Sequence, residues 1–413
     1  MTATRIDADL LIPGRGAPVP DATVVFDGPT LEYVGPSAEA PLVPGATVHR
    51  VAAVLPGLWD CHGHFFGVRT AAMSASYTDS LPLRAARAAK DAEVALQSGF
   101  TSVREAGGLG VHLARGIADG SLTGPSIYAP GAILSTTGGH GDTHDIPLDW
   151  AHDIPEARLC DGTDECIRAV REQLRLGAKV IKICASGGVL SEVDDPIHQQ
   201  FNADELRAIV ETAGMAQRSV MAHCHGKPGI MAALEAGVRT IEHGTYLDDE
   251  VCAAMKDLDV LLVPTRYIVA RLAKAGLASG MSAENARKLY EIADIHLDAI
   301  GRAHAAGVRI AAGTDIFESG VDNIIGWGQN GGELPLLVEA GLTALEAIEA
   351  ATANGPDTLG EQAPRAGQLV AGWDADVITV DTDPTLDIGA LADPSRITGV
   401  WRHGVAAKLP SGN

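Results

Sequence analysis

The hydrophobic pattern of the chain changes character twice. Residues 1–54 run as short apolar stretches, in DADLLIPG, ATVVFDG, LEYVGP and ATVHRVA, separated by Gly and Pro, which predicts short antiparallel strands. From Val54 to about Ile325 the texture becomes short β-branched apolar runs, each followed by a longer Ala/Leu/Glu/Arg segment with helical spacing. That alternation predicts parallel βα units. The apolar runs are VLPGLWD, TSVREAG, SIYAPGAIL, KVIKICA, SVMAHCH, RTIEHGT, VLLVPT and RIAAGTD, eight in all. Helical candidates between them include LRAARAAKDAEVALQSG, DECIRAVREQLRLGA and SAENARKLYEIADIHLDAIGRAHAAG, each closing at a Gly suited to a helix C-terminus. Eight strands interleaved with helices predict an α/β protein built on a (β/α)₈ TIM barrel; an open doubly wound sheet fits the same pattern.

Beyond the barrel, LTALEAIEAATANGPDTLG predicts a further helix, and GQLVAGWDADVITVD and ITGVWRHGVAAKL return to short strands. The expected division is a barrel over residues 55–362 and a small β-sandwich domain assembled from residues 1–54 and 363–413. The stretch from Ser135 to Asp161, rich in Gly, His, Asp and Pro, lacks periodicity and is expected as a loop over the barrel mouth.

Composition changes this picture little. A length of 413 residues suits a barrel of about 250 residues or more plus an accessory domain, and 46% hydrophobic with 20% charged residues excludes disorder. The formal charge of −22 opposes nucleic-acid or anionic-membrane binding, because phosphate contacts need clustered Lys and Arg. An acidic surface serves solubility and can also retain divalent cations. No stretch approaches about 18 consecutive apolar residues, and MTATRIDADLLIPGRG lacks the pattern of an export signal, so a soluble, unexported protein is expected. The six cysteines show neither CxxC spacing nor scaffold density, which points to the reducing cytoplasm.

The chemistry gathers where strands end. His62 and His64 follow VLPGLWDC directly, and alternate residues of an extended chain point the same way, so two imidazoles can converge on a metal such as Zn²⁺. A short HxH also arises by chance. Lys182 in KVIKICASGG, His223 in SVMAHCHG, His243 in RTIEHGT and Asp315 in RIAAGTD hold the corresponding places of later strands. A lone His or Asp at a strand end is usually a capping or solvated residue. Five such positions in strand order, at the face where a barrel assembles its sites, favour a metal centre. Lys182 stands apart, because an ammonium repels cations; its ordinary role is a salt bridge. Cys61, Cys184 and Cys224 lie beside these residues, and alternation turns them to the opposite face as small buried hydrophobes rather than thiolate ligands.

PGLWDCHGH, TSVREAGG, STTGGHGD, VIKICASGGV, MAHCHG, TIEHG, AGTD and GQLVAGWDADVITVD, in this order and over nearly the whole chain, resemble the amidohydrolase superfamily. The likeness is to its imidazolonepropionase-like and prolidase-like binuclear members, an ochratoxinase-like subgroup among them. The resemblance implies two divalent metal ions, with Zn²⁺ the expected choice among several that such ligands accept. His62, His64 and Asp315 would hold one, His223 and His243 the other, and an N-carboxylated Lys182 would bridge both. It further implies hydrolysis of an amide-type C–N bond by hydroxide between the metals, Asp315 moving the proton to the leaving amine. The implied substrate is a small molecule: an N-acyl amino acid, dipeptide or aryl amide such as an ochratoxin-like compound. Phenylureas, carbamates and cyclic amides are rivals on the same scaffold. Single-metal deamination is disfavoured by the Lys182 motif, and a non-catalytic metal-binding barrel by Asp315 and His140.

His140, in TTGGHGD, resembles the family histidine near the substrate carbonyl, where it would support an oxyanion; the alternative is a loop hydrogen bond. His225 would share the face of His223 on an ideal strand, but the resemblance places it behind the ligands. Arg104 and Glu105 stand where this group has Arg then Asp, ordering the site from beneath. Tyr267 offers a hydroxyl and a stacking face to substrate, or else packs. His144 has weaker grounds for a metal or substrate role. A homo-oligomer is expected, with no interface visible in the sequence.

Overall fold

The structure is a computed structural model describing residues 3–71, 75–152, 154–191 and 193–410. The terminal residues 411–413 of the expected composite domain lie outside the described residues. Both ends of the chain meet in a seven-stranded sheet. Thr4–Leu11, Val19–Phe26, Leu31–Pro36 and Thr47–Pro56 come from the N-terminal side, Val377–Val380, Ile397–Arg402 and Val405–Lys408 from the other. The sheet is mixed, where the sequence suggested antiparallel strands throughout. Thr4–Leu11 pairs antiparallel with Val19–Phe26 but parallel with Thr47–Pro56, because the chain from Pro36 to Thr47 crosses back before re-entering the sheet. Ile6, Val24, Phe26, Val54, Val377 and Trp401 pack together on its buried side.

The remaining strands are parallel and form two sheets. One has the order Ile316–Glu318, Leu58–Val68, Phe100–Glu105, Ser126–Tyr128. The other runs Leu261–Val263, Thr240–His243, Val220–Cys224, Ile181–Cys184, Ile133–Ser135, Ala157–Leu159. Backbone hydrogen bonds connect them on both flanks: Lys179 N to Ala129 O (2.8 Å) on one, Ala311 N to Leu262 O (2.9 Å) and Cys61 N to Ala312 O (2.8 Å) on the other. Three expected strands are altered. VLPGLWD divides at Gly57 between Thr47–Pro56 of the seven-stranded sheet and Leu58–Val68. SIYAPGAIL divides at Pro130 and Gly131, where proline removes a donor and the glycine adopts φ 79°. RIAAGTD makes only an isolated bridge, Leu262 to Ile310, before the chain turns into Ile316–Glu318.

Helices follow the strands and cover them. Thr163–Leu176, Lys227–Ala236 and Ala283–Ala306 each stop at a left-handed glycine, Gly177, Gly237 and Gly307, as their sequences suggest. The helix expected over LTALEAIEAATANGPDTLG is broken into Ala344–Ala350 and Asn354–Asp357. The stretch from Ser135, which ends a strand, to Asp161 is mostly irregular; among its described residues it also holds the short helix Leu148–Ala151 and the edge strand Ala157–Leu159. Among the described residues no helix is long and apolar enough to cross a membrane.

Candidate metal centre

Every residue of Leu58–Val68 is buried, so its alternation is read against protein on both faces. His62 and His64 emerge on one side, with ring centroids 5.5 Å apart. Asp315 Oδ1 sits 3.1 Å from His64 Nε2 and 3.6 Å from His62 Nε2, and the donor atoms of the three lie within 4.8 Å of one another. Asp315 reaches this place through a turn at φ 60°, its N–H donating to His62 O. Asp60, which the sequence reading passed over, holds that turn. It accepts from the Thr314 N–H (3.1 Å) and hydroxyl (2.5 Å) and from Asn330 Nδ2 (2.6 Å). The alternation that singled out His62 and His64 extends back to Asp60 and was the available signal.

His223, His225 and His243 form a second cluster with the same donor spacing. His225 therefore stands with His223 and His243, where the resemblance had placed it behind them. The strand-parity argument is the one the geometry follows: His223 and His225 centroids are 4.7 Å apart, and His225 stacks on His243 at 4.9 Å. The clusters adjoin through His62 and His243, 5.0 Å between centroids. Lys182 Nζ lies 3.2 Å from His62 Nε2.

The outer nitrogen of each ring is anchored. His62 Nδ1 meets Glu242 Oε2 at 2.6 Å, His64 Nδ1 meets Gly107 O at 2.7 Å, and His223 Nε2 meets Gly187 O at 3.1 Å. Carboxylate and carbonyl oxygens only accept, so these nitrogens carry protons; His62 Nε2, facing the Lys182 ammonium, keeps its lone pair, while His64 Nε2 faces the Asp315 carboxylate. His225 and His243 are tethered through Nδ1 to Thr245 and Thr265 hydroxyls. Burial, then Lys182, pushes His62 down to about 4. Burial and neighbouring imidazoles hold His223, His225 and His243 well below the ordinary histidine range. Imidazoles anchored through their outer nitrogens, beside a carboxylate, are the donor chemistry of a divalent-metal site, and the residues fit such ions. Burial also lowers Lys182 from the usual lysine value, against the pull of Glu242.

Arg104 lies beneath the histidines, as expected, and its partner Glu242 was missed. The guanidinium donates to both Glu242 oxygens, to Thr240 Oγ1 and to Cys61 O. Burial alone would raise Glu242, yet Arg104 and His62 bring it down to about 2. Glu242 is next to His243, so strict alternation would turn it away from the site; His243 leaves the extended conformation at φ 69°, and both residues meet His62. Glu105 is buried too. It accepts from Phe65 and Gly110 N–H, and burial pushes it up to about 8.

A cavity of about 350 Å³ opens over both clusters. Its floor is histidine, Lys182 and Asp315; much of its wall is apolar, including Phe66, Leu272, Leu289, Ile292 and Phe317. Among the described residues lining it, Lys182 is the sole Lys or Arg. His140 enters from the Ser135–Asp161 stretch, stacks on His223 at 4.1 Å and meets Ser191 Oγ through Nδ1 at 2.8 Å. His144 lines the wall, its Nδ1 accepting from Val193 N–H. Tyr267 does not line the cavity. Its ring packs in the core beside it, its hydroxyl donates to Gln329 Oε1 at 2.6 Å and its N–H to Glu333, so here packing replaces the expected substrate contact. Cys61 and Cys224 are buried away from the cavity, but Cys184 lines it. Cys184 is two positions from Lys182 and shares its face, which corrects the expectation of an opposite face. Burial pushes the Cys61 and Cys184 thiols up to about 12, so neither offers a thiolate.

The chain is similar to proteins of one family. Ochratoxinase of Aspergillus niger is 42% identical over 428 aligned positions, covering 98% of this chain and 87% of that protein. The crystal structure of A. niger ochratoxinase superposes with a TM-score of 0.92 at 40% identity, covering 99% of this chain and 96% of that one. A prolidase solved with N-methylphosphonate-L-proline gives 0.90 at 32% identity, over 99% and 100% of the two chains. Imidazolonepropionase of Streptomyces avermitilis is 27% identical over 94% of this chain and 87% of that protein. The amidohydrolase family model matches residues 53–407, a span that contains both histidine clusters, Lys182 and Asp315, so the chain belongs to the amidohydrolase family and is a metal-dependent hydrolase acting on C–N bonds.

Proposed function

We propose that the protein hydrolyses the amide bond of an N-acyl amino acid, a dipeptide or an aryl amide of the ochratoxin type. The observation that carries this reading is the cavity, whose apolar wall meets a floor of two donor clusters that adjoin through His62 and His243, with Lys182 against His62. Such a wall suits a bulky apolar arm beside a single polar bond. His62, His64 and Asp315 would hold one divalent ion and His223 and His243 a second, with His225 beside them. Lys182, a buried amine with depressed basicity, would be carboxylated between the two, and Zn²⁺ is the ion we assign. When bound, such ions supply Lewis acidity toward a carbonyl oxygen and ease the ionisation of water.

The chain's own groups do the rest. Asp315 is held below the usual carboxylate range: burial opposes ionisation, and His62, His64 and Lys182 outweigh it. It is thus an ionised base that can take a proton at Oδ1 and return it to the leaving nitrogen. His140, its Nδ1 paired with the Ser191 hydroxyl at 2.8 Å, would offer Nε2–H to the oxygen of the scissile carbonyl. The apolar wall orients the substrate and excludes water.

This reading includes closure of the two parallel sheets into a (β/α)₈ barrel over residues 55–362, supported by the hydrogen bonds on both flanks. A small β domain from residues 1–54 and 363–413 completes it. Six free, buried cysteines support a cytoplasmic setting. A homo-oligomer is part of the proposal, and sedimentation would test it. The decisive experiment is a hydrolysis screen of N-acyl-phenylalanines, dipeptides and an ochratoxin-type aryl amide, before and after chelation, with elemental analysis. About two metals per chain and chelator-sensitive release of amino acid support the reading. Turnover of phenylureas or carbamates alone would overturn the substrate class.

A further inference from the structure

Lys288 is a buried lysine that the proposed chemistry does not use. It lies on the long helix Ala283–Ala306, one turn beyond Asn285, and is buried against the stretch that carries Ser191 and Asp194. Its ammonium donates to two main-chain carbonyls, Ser191 O at 2.9 Å and Asp194 O at 2.6 Å. Asn285 Nδ2 donates to a third in the same stretch, Leu190 O at 3.3 Å. Ser282 caps the helix by accepting from Asn285 N–H, so this gripping turn is itself held.

The gripped residues are those that hold His140. Ser191 Oγ is the partner of His140 Nδ1. Asp194 Oδ2 accepts from Gly188 N–H (2.9 Å) and Gln200 Nε2 (3.1 Å), while Gln200 Oε1 accepts from His140 N–H (3.0 Å). Gly188 lies so close to the imidazole that a Cβ there would fall 2.1 Å from His140 Nδ1. His140 belongs to an irregular stretch, so its stacking on His223 depends on these contacts rather than on a strand or helix. A lysine suits this task because three donors on a compact head satisfy carbonyls that would otherwise be buried unpaired.

We infer that Lys288 is a positioning residue, clamping Ser191 and Asp194 to the Ala283–Ala306 helix so that His140 stays stacked on His223 and directed at the reacting carbonyl. This rests on the role given to His140 above. The long helix also carries Leu289 and Ile292 of the apolar wall, so one element sets both the substrate's arm and the histidine at its carbonyl.

The test is a double-mutant cycle on the amide that the wild type turns over. Lys288→Met and Ser191→Ala should each lower kcat about 10- to 100-fold with KM and metal content little changed. Lys288→Arg, whose guanidinium still offers N–H donors to both carbonyls, should recover most of the loss. In a His140→Ala background, Lys288→Met should cost less than about threefold, because the residue it serves is gone. The same factor in both backgrounds would overturn the inference, as would wild-type kcat in Ser191→Ala. If no amide is turned over, a crystal structure of Lys288→Met still decides. His140 displaced from His223 upholds the clamp, and an unmoved ring refutes it while leaving the substrate question separate.

Discussion

Arg104 closes on both carboxylate oxygens of Glu242, at 2.8 and 2.7 Å, in a pair with no exposed side-chain surface. Glu242 in turn fixes His62 through Nδ1. A buried ion pair is weak evidence for stability, but this one orients a candidate ligand. Glu242→Gln would leave the guanidinium short of its charge partner and loosen the imidazole. The expected outcome is loss of about 3 kcal/mol of stability and a 10- to 100-fold weaker hold on metal, checked by urea denaturation and by metal analysis after dialysis. Full retention of both would remove Glu242 from the site.

Asp315 adopts a left-handed backbone at φ 60°, as do His243 and Thr265 at the ends of neighbouring strands. Such conformations cost about 1–3 kcal/mol each and persist where packing overdetermines them. Asp315→Asn keeps the shape and removes the base. Turnover should fall at least about 10²-fold, with most of the metal retained by elemental analysis. Retained activity would refute the assignment of Asp315 as the proton carrier.

The apolar wall should control affinity more than chemistry. Leu289→Ala withdraws part of it, and kcat/KM for an aryl amide should fall about 10-fold, chiefly through KM. The comparison substrate is a small N-acetyl amino acid, whose constants should barely move. Equal losses on both would mean that Leu289 supports the fold rather than the substrate.

Asp91, buried in Leu81–Gln97, receives the Ser319 hydroxyl at 2.5 Å, yet burial raises it to about 7. A carboxyl whose folded value exceeds its unfolded one favours folding while protonated. That contribution is whole below about pH 4 and is lost as pH rises through about 7. Asp91→Asn should therefore stabilise the protein by about 1–3 kcal/mol near pH 8, with the gain vanishing toward pH 4. Calorimetry across this range checks it, and a pH-independent difference would contradict it.

The histidine pair at His62 and His64, and the His or Asp closing later strands, were legible because strand parity and strand ends are local properties. Parity also applied to Asp60 and His225, but it states only which residues share a face, and it would have turned Glu242 away from His243. It does not state what stands opposite. Cys184 shows the same rule misapplied, since a residue two places from Lys182 cannot turn away from it.

The sequence by itself determined the alternation of strands and helices, the strand character of both chain ends, and the polar residues gathered where strands stop, since each follows from periodicity over a few residues. Only the tertiary structure decided that Arg104 meets Glu242 138 positions away, that Tyr267 packs instead of facing substrate, that SIYAPGAIL divides between two sheets, and that Lys288 reaches Ser191. These depend on distances between elements remote in the chain, and packing of whole sheets and helices sets those distances.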